Sequence, residues 1–117
     1  MVAIMRLTGL FWHVDRWRKS TAYTDMTLEE QGAYRNLLDE ALLRGGALPV
    51  EDRILARACG DVRRWTAVRK TVLARFVKKR DGYHNETLDE VLAQSVRRAV
   101  NQKNYRDRLN RKNGHGR

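Results

Sequence analysis

The sequence predicts a mainly α-helical chain with about four helices and one short β-hairpin. Three observations carry that expectation. Helix formers dominate, and Pro49 is the one proline. Four segments repeat apolar residues at helical spacing. Asp81-Gly82 separates two short alternating runs, the pattern of a tight hairpin whose primed turn needs positive φ.

The elements follow in chain order. Residues 10–23, LFWHVDRWRKSTAY, are rich in aromatics and are expected to hold a short strand and a helical turn. Thr27-x-x-Glu30 is a capping box, in which each side chain satisfies a backbone N–H at a helix start. Leu28, Tyr34, Leu37, Leu38, Ala41 and Leu42 then mark the apolar face, and Gly45-Gly46 ends the helix. A second helix begins after Leu48-Pro49, with Glu51 and Asp52 at its positive end. Ile54, Leu55 and Ala58 form its inner face, with Cys59 as a small, partly buried side chain in the last turn. Asp61 is a good N-cap for a third helix. Val62, Trp65, Val68, Val72, Leu73 and Phe76 share one stripe of it. Arg63, Ala67, Lys70 and Ala74 lie opposite, flanked by Arg64, Thr71 and Arg75. Val77–Arg80 and Tyr83–Asn85 are the hairpin strands. Thr87-x-x-Glu90 repeats the capping-box pattern for a last helix, edged by Leu88, Val91, Leu92, Ser95, Val96 and Ala99. Beyond Val100 the apolar edge fades.

Charge is distributed by segment. Residues 1–60 sum to zero, 61–80 to +7, 81–93 to −4 and 94–117 to +7, within a net charge of +10. A basic helix running into a basic hairpin is the sequence shape of a winged helix-turn-helix, whose helix lies in the DNA major groove while the wing touches the flanking backbone. The expected partner is therefore nucleic acid, duplex DNA first. Arg63, Arg64, Lys70 and Thr71 would present the groove-facing surface, where small residues allow close approach. Lys78, Lys79 and Arg80 would contact phosphates from the wing. Arg97, Arg98, Lys103, Arg106 and Arg108 would add a second phosphate-binding stretch. Residues 1–100 are expected to form the winged-helix domain, and 101–117 a basic extension, partly disordered.

Other classes find little support. At 117 residues the chain is one domain. A single cysteine forbids an internal disulfide and suits a cytoplasmic protein. No apolar run approaches the roughly 20 residues of a membrane span, and the N-terminus lacks a signal-peptide pattern. His13, His84 and His115 are scattered, without zinc-ligand spacing. Nucleotide-binding loops and nucleophile elbows are missing, so neither an enzyme nor a cofactor is expected. The alternative from another class is a protein-interaction module that docks its basic surfaces on an acidic partner, such as an inhibitor occupying a host complex.

The order of blocks resembles the YdaU-like family of phage and prophage proteins, a domain of unknown function found in phage replication-initiation proteins. The blocks are Met26-Thr27-Leu28-x-Glu30-x-Gly32-Ala33-Tyr34-x-x-Leu37-Leu38, Gly46-x-Leu48-Pro49 and Leu55-Ala56-Arg57-x-x-Gly60. Trp65-x-x-Val68-x-x-x-Val72-Leu73-x-x-Phe76 follows, then Asp81-Gly82-Tyr83-x-Asn85-x-x-Leu88-x-x-x-Leu92. The resemblance covers about residues 12–110. It implies a winged-helix-like domain acting in phage DNA replication inside a bacterial host cell, with a replication protein as a possible partner. It carries over no catalytic residues, and it implies packing roles for Gly32, Tyr34 and Trp65. Phe76-Val77 departs from the family's tendency to paired aromatics.

Overall fold

The structure, a computed structural model, describes Gly9 and residues 12–114. Six helices and one hairpin follow in order: α1 (Val14–Arg18), α2 (Thr21–Asp25), α3 (Leu28–Leu43), α4 (Asp52–Ala58), α5 (Trp65–Leu73), β1 (Val77–Lys79), β2 (Gly82–His84) and α6 (Glu86–Gly114). The segment expected to hold a strand near residues 10–23 instead forms the two short helices α1 and α2, and Leu10 and Phe11 lie outside the described residues. Ser20 explains the break between them, because its hydroxyl accepts the Tyr23 N–H and caps α2.

The central helix is α3. Its capping box forms as the sequence predicts: the Thr27 hydroxyl accepts the Glu30 N–H and the Glu30 carboxylate accepts the Thr27 N–H. Leu28 departs from the expected stripe and is exposed, whereas Leu37 and Ala41 are fully buried. Leu28 is the first residue of the helix and has no neighbour across from it in the core. Gly45 and Gly46 end the helix at φ of 88° and 121°, and the Gly46 N–H closes onto the Ala41 carbonyl at 2.7 Å.

Leu48 joins the sheet ahead of α4, which begins after Leu48-Pro49 as expected. Its N–H and carbonyl both pair with Tyr83, each at 2.9 Å, as an isolated bridge beside β2. This adds a third, one-residue strand to the hairpin. The chain then runs through α4 and α5 before returning as β1 and β2, an order compatible with a winged helix-like arrangement. Asp61 does cap, but it caps a 3-10 turn over Val62–Arg64, and α5 starts only at Trp65. Val62 consequently leaves the expected stripe and is exposed.

The hairpin register pairs Lys79 with Gly82, so the two turn residues are Arg80 and Asp81, not Asp81-Gly82. Among the described residues no non-glycine residue has positive φ, so the expected primed turn is not formed. Gly82 is required for a different reason. At φ +134° it passes so close to Leu48 that a Cβ would stand 2.1 Å from the Leu48 carbonyl oxygen.

Asn85, not Thr87, caps α6. Its side-chain oxygen accepts the Leu88 N–H at 2.9 Å, while its amide nitrogen donates to the Tyr34 hydroxyl and the Arg75 carbonyl, each at 3.1 Å. This buried amide ties α3, the end of α5 and the start of α6 together with all three of those bonds made.

The core lies between these elements. Leu37, Leu48, Leu55, Trp65 and Val72 are its most enclosed side chains. The amino-terminal helices lock on through aromatics: Trp17 stacks on Tyr34 with centroids 5.8 Å apart, and Tyr34 meets Phe76 edge-on at 5.9 Å. Arg35 covers Trp12 at 3.7 Å from the ring centroid. Cys59 is buried and free. Residues 101–114, expected to be partly disordered, continue α6 as helix, and residues 115–117 lie outside the described ones.

Candidate nucleic-acid interface

The helix-turn-helix part of the site is built by α4 and α5. Asp52, placed in the first turn of α4, accepts the Trp65 indole N–H at 2.8 Å and the Arg69 guanidinium at 2.7 Å. Both bonds hold its carboxyl below the usual range, the indole first. Asp52 therefore does more than face the helix dipole: it fixes α5 against α4. Arg69 is anchored by the same pair.

The α5 surface is less free than the sequence suggests. Arg64 reaches across to α3 and forms a two-pronged pair with Glu29, its longer arm 3.1 Å. The hydrogen bond from Arg64 lowers the Glu29 pKa. Thr71 is half-buried, and its hydroxyl is among the groups that lower the Glu30 pKa. Of the four residues expected on the groove face, Arg64 is thus exposed but paired and Thr71 is half-buried. Arg63 is exposed and pairs loosely with Asp61, at 3.5 Å. Lys70 is exposed and enters no ion pair among the described residues. Thr66, Ala67 and Ala74 are exposed beside it, as the sequence predicts for the two alanines.

Lys78, Lys79 and Arg80 are exposed on the hairpin, and none forms an ion pair among the described residues. Behind them, His84 is clamped between two carboxylates, with Nε2 at 2.7 Å from Asp81 and Nδ1 at 2.8 Å from Asp89. The hydrogen bond to Asp81 is the main cause that raises the His84 pKa, against desolvation, and Asp89 adds to it. The imidazole joins the turn to the first stretch of α6. Sequence reading took His84 as a scattered histidine, because its two acids meet it only once β2 and α6 are folded.

The third group of cations lies on α6. Arg97, Arg98, Lys103, Arg106 and Arg108 are all exposed, and residues 101–112 are exposed throughout. The helix thus leaves the body of the domain and carries its cations on a free-standing arm. The longest dimension of the protein, 66 Å against 31 and 22 Å, records this.

An apolar cavity of about 340 Å³ lies elsewhere, lined by Trp12, Trp17, Tyr34, Leu38, Leu88 and Val91 among others. Among the described residues no group of three His, Cys, Asp or Glu side chains could hold a metal ion, and no helix is long and apolar enough to cross a membrane.

Comparison with known proteins adds one finding. No curated protein and no solved structure matches. Residues 11–93 match the family described as "Protein of unknown function (DUF1376)". That span takes in the aromatic lock, the helix-turn-helix, the wing and the start of α6, and leaves the projecting arm outside it. With most of its length so matched, the chain belongs to the DUF1376 family.

Proposed function

We propose that this chain is a phage-type DNA-binding winged-helix protein that acts in replication initiation without being an enzyme. The observation that supports it best is the wing: Lys78, Lys79 and Arg80 stand exposed and, among the described residues, without ion pairs, near the outward Lys70 of α5 and Arg63 of the 3-10 turn before it. Unpaired cations at that place can neutralise phosphates at little cost, because no internal bond must break first. The replication role and the phage setting rest on the YdaU-like resemblance and on the matching order of blocks.

The test is a mobility-shift titration with duplex, single-stranded and phage-origin DNA at two salt concentrations. Duplex binding should weaken steeply with salt as counterions are released. Undetectable duplex binding at low salt would overturn the proposal. The apolar cavity favours a second reading, a module that docks on a host protein. Competition between duplex DNA and a purified replication protein separates the two.

A further inference from the structure

The arm of α6 has a patterned surface. Arg97, Asn101, Asn104, Arg108 and Arg111 are spaced i, i+4, i+7, i+11 and i+14, which places them in one stripe along the helix. All five are exposed. At 1.5 Å per residue the stripe is about 21 Å long. Its composition is narrow: two amides among three guanidiniums, with Asp107 lying off its edge. Arg and Asn are the side chains whose paired donors and acceptors match the edges of guanine and adenine in the major groove.

Position adds to composition. A helix enters the major groove only if nothing else occupies its flanks, and residues 101–112 are exposed on every side. By contrast, α5 is short, and two of the cations on or beside it are already engaged: Arg64 with Glu29 and Arg69 with Asp52. Lys70 on α5 is a point charge that discriminates bases less well than a planar, two-pronged group.

We propose that Arg97, Asn101, Asn104, Arg108 and Arg111 are a base-reading face for duplex DNA, so that sequence preference resides in the arm while the wing supplies affinity. The proposal rests on the DNA-binding reading above. It assigns base readout to a part of the chain outside the family match.

The test first selects preferred duplexes from a randomised pool with the full chain. The chain and its N101A/N104A variant are then titrated against the preferred duplex and a scrambled one. The variant changes no charge, and alanine favours the helix, so the arm stays folded. Affinity for the preferred duplex should fall by roughly 5- to 150-fold per lost two-pronged contact, with the scrambled duplex and the salt slope unchanged. Equal losses on both duplexes, no loss on either, or a selection that yields no preferred sequence would overturn the proposal. So would a K70A variant that alone erases the preference. A chain that binds no duplex at low salt instead refutes the DNA-binding reading itself.

Discussion

Gly82→Ala is the sharpest test of how the wing is attached. The new Cβ would stand 2.1 Å from the Leu48 carbonyl oxygen and 3.0 Å from its carbon, both backbone atoms. Neither can swing aside like a side chain, so the Leu48–Tyr83 bridge must open. Two backbone hydrogen bonds of 2.9 Å are then lost, worth about 1 kcal/mol each. Alanine at φ +134° adds strain of about 1–3 kcal/mol. The sum is about 3–5 kcal/mol, which for a chain of this size lowers Tm by roughly 10–25 °C. Thermal unfolding followed by circular dichroism measures it. Gly45→Ala is the internal control: its φ is also positive, at 88°, but a Cβ there meets nothing within 4 Å, so only the strain should remain, about 1 kcal/mol. A Gly82→Ala protein that melts within about 2 °C of the Gly45→Ala protein would refute the close-approach argument.

Other outcomes follow from the same geometry. Trp65→Ala should cost about 3–5 kcal/mol in urea unfolding, because the ring is buried, whereas Trp65→Phe keeps most packing and loses mainly the bond to Asp52, about 1 kcal/mol. His84 has its pKa raised from the ordinary 6.5, so its stabilising charge is complete below 6.5 and is lost as pH rises through the higher folded-state value. The urea midpoint should therefore fall from pH 6 toward alkaline pH, and His84→Gln should flatten that slope. Asp81, held low by His84, adds stability above the ordinary carboxylate range that disappears on acidification. Replacing Lys78, Lys79 and Arg80 by Ala should weaken binding to every duplex alike and reduce the salt slope by about one per lost phosphate contact, read by mobility shift at several salt concentrations. An unchanged slope would remove the wing from the interface.

What the sequence displayed well was local. The Thr27–Glu30 box, the glycine stop at 45–46 and the stripe of Trp65, Val68 and Val72 depend on neighbours within a few residues, and all three are present. What it concealed depended on distant partners. Arg64 looked free because Glu29 is 35 residues away, and Thr71 looked outward because the packing of α5 on α3 is set by the whole core. The bridge at Leu48 and the capping role of Asn85 were hidden for a similar reason. A one-residue strand leaves no period to detect, and Asn85 outcompetes Thr87 as a cap because Tyr34 and the Arg75 carbonyl hold its amide in place. On the arm, the cations were legible from charge alone, but their continuation as a helix was not, since the apolar edge that usually announces one is missing beyond Val100.

The amide clamp at Asn85 also sets the mechanics of the molecule. One residue separates the last strand of the wing from a helix of 29 residues, about 43 Å long. The helix is a cantilever: its root, from the Asn85 clamp through Leu88 and Val91, is packed in the body, and residues 101–112 are exposed throughout. A tilt of about 10° where the free part begins, near residue 100, sweeps an end about 21 Å away through about 4 Å. Small changes in side-chain packing around Tyr34 and Arg75 are thereby magnified into changes of address at the tip. Hairpin and helix are joined at that root by the Asn85 amide, the His84–Asp89 contact and the packing of Leu88 and Val91, so the distance between what the two ends can reach is set by a few residues at one corner of the fold.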